Sequence, residues 1–340
     1  MTSVFVRTPN GNFPPRPASE GPRRSGRAAF TLVELLSAAA VFAAVAVIIL
    51  QTLHHLISAE ARLTRLTLAR ERGWSVLSIL EPRVLYAACG LTYERGSDVF
   101  QRSFGGPSGS SPPPGGWTNG PLHIWQGDPG LWEHAPETGG VSRGRGLAVL
   151  YAVPSALKAR LDEPLEMTGA PVSVSLIPYE NFAGIGDRLP TLSRSDVRSW
   201  VTFPLTRLPV HVENYFHSTG KLTVRLADGL SGEPRCVYPY DEMHYLRGER
   251  FHAENESLYS EELKTAWTDL EIRSDGVLEL WFEWTPAKRL LEAWVLTTGG
   301  DLPFGKSARP ADWPTEAPWR AVFENHDVAV THGSWIVPNL

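Results

Sequence analysis

An uninterrupted apolar run from Phe30 to Leu50 constrains this chain more than any other stretch of its sequence. Only Thr31, Glu34 and Ser37 are polar within the run, and neither glycine nor proline interrupts it. As a helix the run would be roughly 30 Å long, about the thickness of the hydrocarbon core of a bilayer. The run contains no lysine or arginine that could pair with Glu34, and an unpaired carboxylate is costly there. The sequence therefore predicts a membrane helix whose single acid takes its partner from elsewhere.

The segment before this run, residues 1–29, is rich in Pro, Gly, Ser and Arg and has no periodicity. Such a composition is typical of a leader and not of a folded domain. Its five arginines and single glutamate make it basic, whereas the rest of the chain is acidic. The positive-inside rule therefore predicts a cytoplasmic N-terminus and an extracytoplasmic body, although four arginines between residues 62 and 72 oppose it. The acidic body argues against a nucleic-acid-binding surface.

The junction Ala29-Phe30-Thr31-Leu32-Val33-Glu34 follows the basic residues Arg23, Arg24 and Arg27. This combination resembles the type III signal of type IV pilins and pseudopilins. The resemblance implies that a prepilin peptidase cuts between Ala29 and Phe30 and methylates the new amine of Phe30. It also implies that Glu34 faces the amine of a neighbouring subunit in a fibre. The chain departs from the family in having Ala29 where glycine is usual, and in the length of its leader.

Two other interpretations of the N-terminus are an ordinary signal anchor and a cleaved secretory signal. A secretory signal has an apolar region of about 7–15 residues, followed by its cleavage site. Here the apolar run is longer and the candidate cleavage site precedes it. These two features favour the pilin-type interpretation.

Beyond the membrane run, apolar residues continue at three- and four-residue spacing as far as Leu80. We predict one helix from Phe30 to about Leu80, with a transmembrane part at 30–53 and an amphipathic extension within 54–90 that packs on a sheet. Pro82 is expected to break or kink the helix, and Gly90 to end any further turn.

A Gly/Pro/Trp-rich loop region is predicted for 91–145, because residues 101–121 consist almost entirely of turn-forming residues. From 146 to 340 the pattern favours β-strands, and the clearest signal is a hairpin of Val277–Trp284 and Leu290–Thr297. Short helices are predicted at Ala156–Leu161 and Glu261–Ala266. One long helix followed by antiparallel strands predicts an α+β fold. The remaining predicted strands are Leu147–Val153, Val172–Ile177, Trp200–Pro204, Lys221–Ala227, Cys236–Tyr240, His244–Arg250, Val328–Val330 and Ser334–Val337.

The passages Tyr245-Leu246, Leu270-Glu271-Ile272 and Gly276-Val277-Leu278-Glu279-Leu280 are similar in order to strands of the larger minor pilins of the PilW type and of J-type pseudopilins of type II secretion. The resemblance implies a structural subunit in the inner membrane that carries no cofactor. The partners that it implies are other pilin or pseudopilin subunits, prepilin peptidase, and the pilus or secretion assembly machinery.

Cys89 and Cys236 are the only cysteines of the chain. In an exported domain they could form a disulfide, and the alternative is two separate buried thiols.

Motifs for catalysis or cofactor binding are absent: the sequence has no H-E-x-x-H, P-loop or G-x-S-x-G. We therefore predict no catalytic residue and no metal site. The histidine pairs His54/His55 and His326/His332 lack a third ligand in the sequence pattern. Gly184-Ile185-Gly186 is interpreted as a turn, and the acidic residues 241–242 and 254–256 as solvated loops. Seven tryptophans from Trp267 to Trp335 are expected to pack in the core.

Two alternatives come from other functional classes. One is a membrane-anchored extracytoplasmic hydrolase, and the other is a carbohydrate- or DNA-binding surface protein that uses the anchor only for display.

Overall fold

The structure, a computed structural model, describes residues 31–91, 121–127, 133–226, 235–264, 267–303 and 305–340. One long helix, α1 (Leu32–Leu85), precedes a large body of antiparallel strands, so the α+β class is confirmed. The chain divides into two compact units, Met1–Ser58 and Ala59–Leu340. The predicted leader and most of residues 101–121 lie outside the described residues.

Within the described residues, seventeen strands and one short helix follow α1. The 3-10 turns are Tyr179–Gly184, Val197–Ser199, Pro286–Lys288 and Ala321–Asn325. The elements are β1 (Leu122–Gln126), β2 (Glu133–His134), β3 (Glu137–Thr138), β4 (Val141–Gly144), β5 (Gly146–Arg160), β6 (Leu165–Met167), β7 (Val172–Ile177), α2 (Ile185–Arg188), β8 (Trp200–Phe203), β9 (Leu208–Phe216), β10 (Lys221–Leu226), β11 (Arg235–Val237), β12 (Glu242–Glu254), β13 (Ser257–Leu263), β14 (Trp267–Asp275), β15 (Val277–Thr285), β16 (Leu290–Asp301) and β17 (His326–Ile336).

Helix α1 runs about one turn further than predicted and contains Pro82. A proline removes one backbone donor from the helix interior. Leu80 and Val84, on either side of it, are buried in the main core. Tertiary packing of these side chains therefore offsets the missing hydrogen bond, and the backbone N–H of Tyr86 still bonds to the carbonyl of Pro82.

Two long strands, β5 and β12, pair along most of their length and form a ribbon that is shared by two substructures. At one end of the ribbon, β1 joins β5 and β13 joins β12, which builds a sheet that continues to β2 and β14. At the other end, β7 joins β5 and β8 joins β12. Because β9 and β10 connect β8 to β7, these six strands close into a small antiparallel barrel.

The two largest of the four buried apolar clusters among the described residues follow from this arrangement. The main core lies among the second half of α1, the sheet around β1 and β13, and a five-stranded sheet in the order β17-β16-β15-β4-β3. The second core includes inward residues of the barrel and side chains of the 179–189 segment, such as Phe182 and Ile185. The predicted hairpin is confirmed as β15 and β16, joined by a short 3-10 turn.

Several predictions of secondary structure were wrong. Ala156–Leu161 belongs largely to β5 and residues 261–263 to β13, so neither short helix forms. Strands β1 to β4 lie within the predicted loop region 91–145. Both errors arise because pairing with distant strands, and not local composition, decides the state of these segments.

The expectation for the tryptophans is confirmed: all seven from Trp267 to Trp335 lie in or against apolar clusters. Trp313, for example, is buried against the outer face of the five-stranded sheet, and its indole N–H donates to the carbonyl of Pro318 at 3.0 Å.

Candidate assembly helix and its anchor on the body

The first turn of α1 is closed by a reciprocal pair of side chains. Thr31 donates to Oε2 of Glu34 from its backbone N–H at 2.9 Å and from its hydroxyl at 3.0 Å. The Thr31 hydroxyl in turn accepts from the backbone N–H of Glu34 at 3.3 Å. This is a capping box, which satisfies backbone donors that the start of a helix leaves unpaired. The spacing Thr31-x-x-Glu34 is visible in the sequence, but our sequence reasoning did not use it.

The capping box gives Glu34 a partner within its own chain. The predicted pairing of Glu34 with the amine of a neighbouring subunit stays a prediction. The predicted cleavage site, Ala29 and Phe30, lies outside the described residues.

Every residue from Thr31 to Leu50 is exposed, although most of these side chains are apolar. The helix is long and apolar enough to cross a membrane. An exposed apolar surface of this extent is normally covered by lipid or by other protein. The segment therefore has the surface that a membrane anchor or a helix of a bundle requires.

Further along α1, the helix is held to the body by a buried carboxylate. Asp327 in β17 is only 1% exposed, and the guanidinium Nε of Arg65 reaches its Oδ2 at 2.6 Å. Arg62 lies 3.4 Å from Oδ1, but this oxygen makes no hydrogen bond. Arg65 is therefore the principal partner, and Arg62 contributes charge at the surface.

The same stretch of α1 approaches β16 and β17 closely. Thr297 donates from its hydroxyl to the carbonyl of Ala69 at 2.7 Å, and Arg72 donates to the carbonyl of Thr298 at 2.6 Å. A Cβ at Gly73 would overlap the side chain of Thr331, and one at Gly299 would overlap the backbone of Arg65. Gly73 is thus a point of close helix–sheet contact.

A second buried carboxylate, Glu249 in β12, holds the end of α1. It accepts from Arg83 at 2.8 Å, from Arg273 at 3.0 Å and from the hydroxyl of Tyr151 at 2.9 Å. Burial and the nearby charge of Glu249 raise the pKa of Tyr151, so its hydroxyl stays protonated and donates. The helix is therefore attached near Arg65 and again near Arg83.

The two cysteines are free in the structure, so the alternative of two separate thiols is the one observed. Cys89 Sγ lies 3.7 Å from Nδ1 of His244. Burial, with the charge of Asp241, raises the pKa of the Cys89 thiol, and burial lowers the pKa of His244. Both groups are thus held neutral, whereas a nucleophilic cysteine needs a thiolate. The contact does not have the electrostatics of a thiol hydrolase.

Asp241, at the end of the barrel, is buried and accepts from the backbone N–H of Leu205 at 3.0 Å. Burial raises the pKa of its carboxyl to about 6, against the opposing effect of backbone hydrogen bonds. Because the folded-state pKa lies above the unfolded one, this group favours the folded state when protonated. Its contribution is complete below about pH 4 and is lost as the pH rises through about 6.

We expect the Asp241→Asn variant to lose this pH dependence. As the pH rises from 4 to 7, the titration of Asp241 should lower the free energy of unfolding of the wild type by on the order of 2–3 kcal/mol. The variant should lack this decrease. Urea denaturation of both proteins in detergent, at several pH values in this range, measures the difference. Parallel pH profiles for the two proteins would contradict the assignment.

The histidine pairs are not brought together as metal sites. His326 lies beside Asp301, and His332 stacks on Trp294 with Nε2 3.5 Å from Glu292. Among the residues that the structure describes, no group of three or more His, Cys, Asp or Glu side chains could hold a metal ion. Gly184 ends a 3-10 turn, whereas Ile185 and Gly186 lie in the short helix α2, so the predicted turn holds only for the first residue of this segment.

Comparison with protein-family models, with curated proteins and with solved structures finds no match to this chain. Its function must therefore be argued from the geometry of the chain itself. Sequence reasoning did not identify Asp327 and Glu249 as the anchors of α1. The available signal was the row of arginines, Arg62, Arg65 and Arg72, on a helix with an apolar stripe.

Proposed function

We propose that this chain is a minor pilin or pseudopilin, a non-enzymatic subunit of a type IV pilus or of a type II secretion pseudopilus. The observation that carries the proposal is the start of α1. A capped Thr31-x-x-Glu34 turn opens an apolar helix whose entire surface to Leu50 is exposed, directly after the pilin-type junction at Ala29 and Phe30.

The anchors on the body support the same proposal. A subunit that is lifted from a membrane into a fibre must transmit force from its helix to its body. Arg65 and Arg83 join the helix to buried carboxylates in two different sheets. Breaking a buried ion pair by removing one partner costs about 3–5 kcal/mol, so such contacts can keep helix and body together as one unit.

In the proposed mechanism, α1 first lies in the inner membrane, with the body on the extracytoplasmic side. Prepilin peptidase removes residues 1–29 and leaves a methylated amine on Phe30. The capping box holds the Glu34 carboxylate at the positive end of the helix dipole. In the fibre, the Glu34 carboxylate then pairs with the amine of a neighbouring subunit, and the apolar helix surfaces pack against one another.

We expect the membrane-extracted protein to begin at N-methylated Phe30 when it is co-expressed with a prepilin peptidase. Intact-mass and N-terminal peptide analysis measures this directly. Retention of residues 1–29, or a cut after the apolar run, would overturn the proposal.

The role of Glu34 is tested in the same cells. We expect Glu34→Gln to be processed at Phe30 but to fail in cross-linking to other pilin subunits. Ser37→Ala is the matched control, because Ser37 is another polar residue of the run and its hydroxyl donates to the backbone carbonyl of Glu34 in its own helix. Normal cross-linking of the Glu34→Gln variant would contradict the proposed pairing of Glu34 with the amine of a neighbouring subunit.

A further inference from the structure

Arg247, in β12, carries a half-buried guanidinium that forms no ion pair with a carboxylate among the described residues. One terminal nitrogen donates to the carbonyl of Leu246 at 2.6 Å, and the other donates to the carbonyl of Arg188, the last residue of α2. The guanidinium carbon also lies 5.7 Å from the centre of the Tyr245 ring. A guanidinium has five N–H donors, so this group keeps donors to spare. A positive charge that is removed from water and left unpaired is costly, which makes an anion a favourable ligand here.

The carboxylates of this region do not fill that role. Glu249, two residues further along β12, is held by the two other arginines described above. Glu262 attracts Arg247 only from beyond the distance of an ion pair. Asp196 accepts from Arg198 through both of its carboxylate oxygens, at 3.0 and 2.7 Å. The effect of burial therefore outweighs these attractions and lowers the pKa of Arg247.

Next to Arg247, Tyr245 contributes a polar group that the described part of the chain leaves unused. Tyr245 is only 5% exposed, and its hydroxyl makes no hydrogen bond within the described residues. Positions 245 and 247 lie on the same face of β12, because side chains alternate along a strand. Burial raises the pKa of Tyr245 to about 12, against the positive charges of Arg188 and Arg247, so the hydroxyl stays protonated and can donate. An unpaired hydroxyl at this depth favours a ligand that accepts a hydrogen bond.

These residues lie at the junction of the main core and the second core. Tyr245 belongs to the second core, whereas Tyr151, the cross-strand neighbour of Arg247, packs against the main core. Arg188 is exposed, which leaves the α2 side of the junction accessible to solvent. Within the described residues neither Arg188 nor Arg247 is paired with a carboxylate, so the junction is a point of positive charge on an acidic body.

We propose that Arg247, Arg188 and Tyr245 bind a phosphate group, either as the free anion or as part of a phosphomonoester such as a lipid headgroup. Guanidinium groups present pairs of N–H donors that match phosphate oxygens, and the tyrosine hydroxyl adds one more donor. A phosphate carries close to two negative charges at neutral pH and so balances both arginines, whereas a carboxylate balances one. The site does not depend on the proposed function, because it concerns residues of the body alone.

Equilibrium dialysis of the full chain in detergent against radiolabelled inorganic phosphate, at pH 7.5 and constant ionic strength, tests the proposal. We expect one phosphate to bind per chain with a Kd at or below about 1 mM. Arg247→Gln should weaken this binding at least about tenfold, because hydrogen bonds from a charged donor are lost. Arg188→Gln should also weaken binding, and it keeps the backbone carbonyl that accepts from Arg247.

Arg309→Gln is the matched control. Arg309 is also half-buried, and its guanidinium donates to two backbone carbonyls, those of Pro314 and Ala317. Its replacement should leave phosphate binding as in the wild type.

Tyr245→Phe separates binding from folding. Because the hydroxyl has no hydrogen-bond partner in the described part of the chain, its removal should leave the urea denaturation midpoint unchanged. It should nevertheless weaken phosphate binding at least about threefold. A purely structural role of Tyr245 predicts no change in binding.

Competition with unlabelled glycerol phosphate distinguishes the two sources of the phosphate group. Stronger competition than by inorganic phosphate would identify an organic phosphomonoester, and weaker competition would identify the free anion. Absence of saturable binding to the wild type would overturn the proposal. Unchanged binding by Arg247→Gln, by Tyr245→Phe, or by Arg188→Gln if Arg247→Gln does not fold, would overturn it as well.

Discussion

Alanine at position 299 is expected to separate α1 from the five-stranded sheet and to lower the free energy of unfolding by about 3 kcal/mol. Gly299 lies in β16 where the strand passes the helix, and a Cβ there would overlap the backbone carbonyl of Arg65. A clash with backbone cannot be relieved by rotating a side chain. Helix and strand must move apart instead.

That movement would also disturb the two hydrogen bonds beside Gly299. The Thr297 hydroxyl bonds to the carbonyl of Ala69, and Arg72 bonds to the carbonyl of Thr298. Each leaves a buried or half-buried polar group unpaired when it is lost, which costs about 1–3 kcal/mol. The predicted loss is therefore larger than that of an ordinary glycine-to-alanine change.

Thermal and urea denaturation of the full chain in detergent measures the effect. Gly184→Ala is the matched control, because among the described residues no atom beyond its chain neighbours lies within 4 Å of its Cβ position, and its φ is negative. The control should unfold like the wild type. Equal stability of Gly299→Ala and Gly184→Ala would show that the helix is not packed as described.

Removal of the Arg65 side chain is expected to have a similarly large effect. Asp327 is almost fully buried and depends on Arg65 for its only direct hydrogen bond among the described residues. Arg65→Ala would leave a buried charge without its partner, at a cost of about 3–5 kcal/mol. Urea denaturation of the full chain in detergent measures this loss.

Two further variants separate charge from packing. Arg62→Ala should cost less than about 1 kcal/mol, because the Arg62 side chain is 64% exposed and the surrounding water weakens its attraction to Asp327. The double variant Arg65→Ala/Asp327→Ala should be more stable than Arg65→Ala alone, since the unpaired charge is gone. A double variant as unstable as the sum of its parts would argue against the buried pair.

Local patterns in the sequence were sufficient for much of the secondary structure. The predicted strand Val172–Ile177 is observed with the same bounds, and the hairpin of β15 and β16 was recognised from its two apolar runs and its turn. Both segments have alternating or continuous apolar residues that local backbone preferences reinforce. The exposed apolar surface of the first half of α1 follows from composition alone.

The same reasoning failed where a segment takes its structure from a distant partner. Residues 156–160 have helix-compatible composition, yet they continue β5 because β12 and β7 pair with them. The closure of β5, β7 to β10 and β12 into a barrel has no local signal, since the pairs β5–β12 and β8–β12 join segments far apart in sequence.

The sequence by itself determined an apolar helix with one acid and a β-rich acidic body, because each depends on neighbours within a few residues. Only the tertiary structure decided which charges are buried. Arg65 and Asp327 are separated by 262 positions, and Arg83 and Glu249 by 166. Burial of a charge depends on what the whole fold places around it, and this is why the anchors of the helix became visible only in three dimensions.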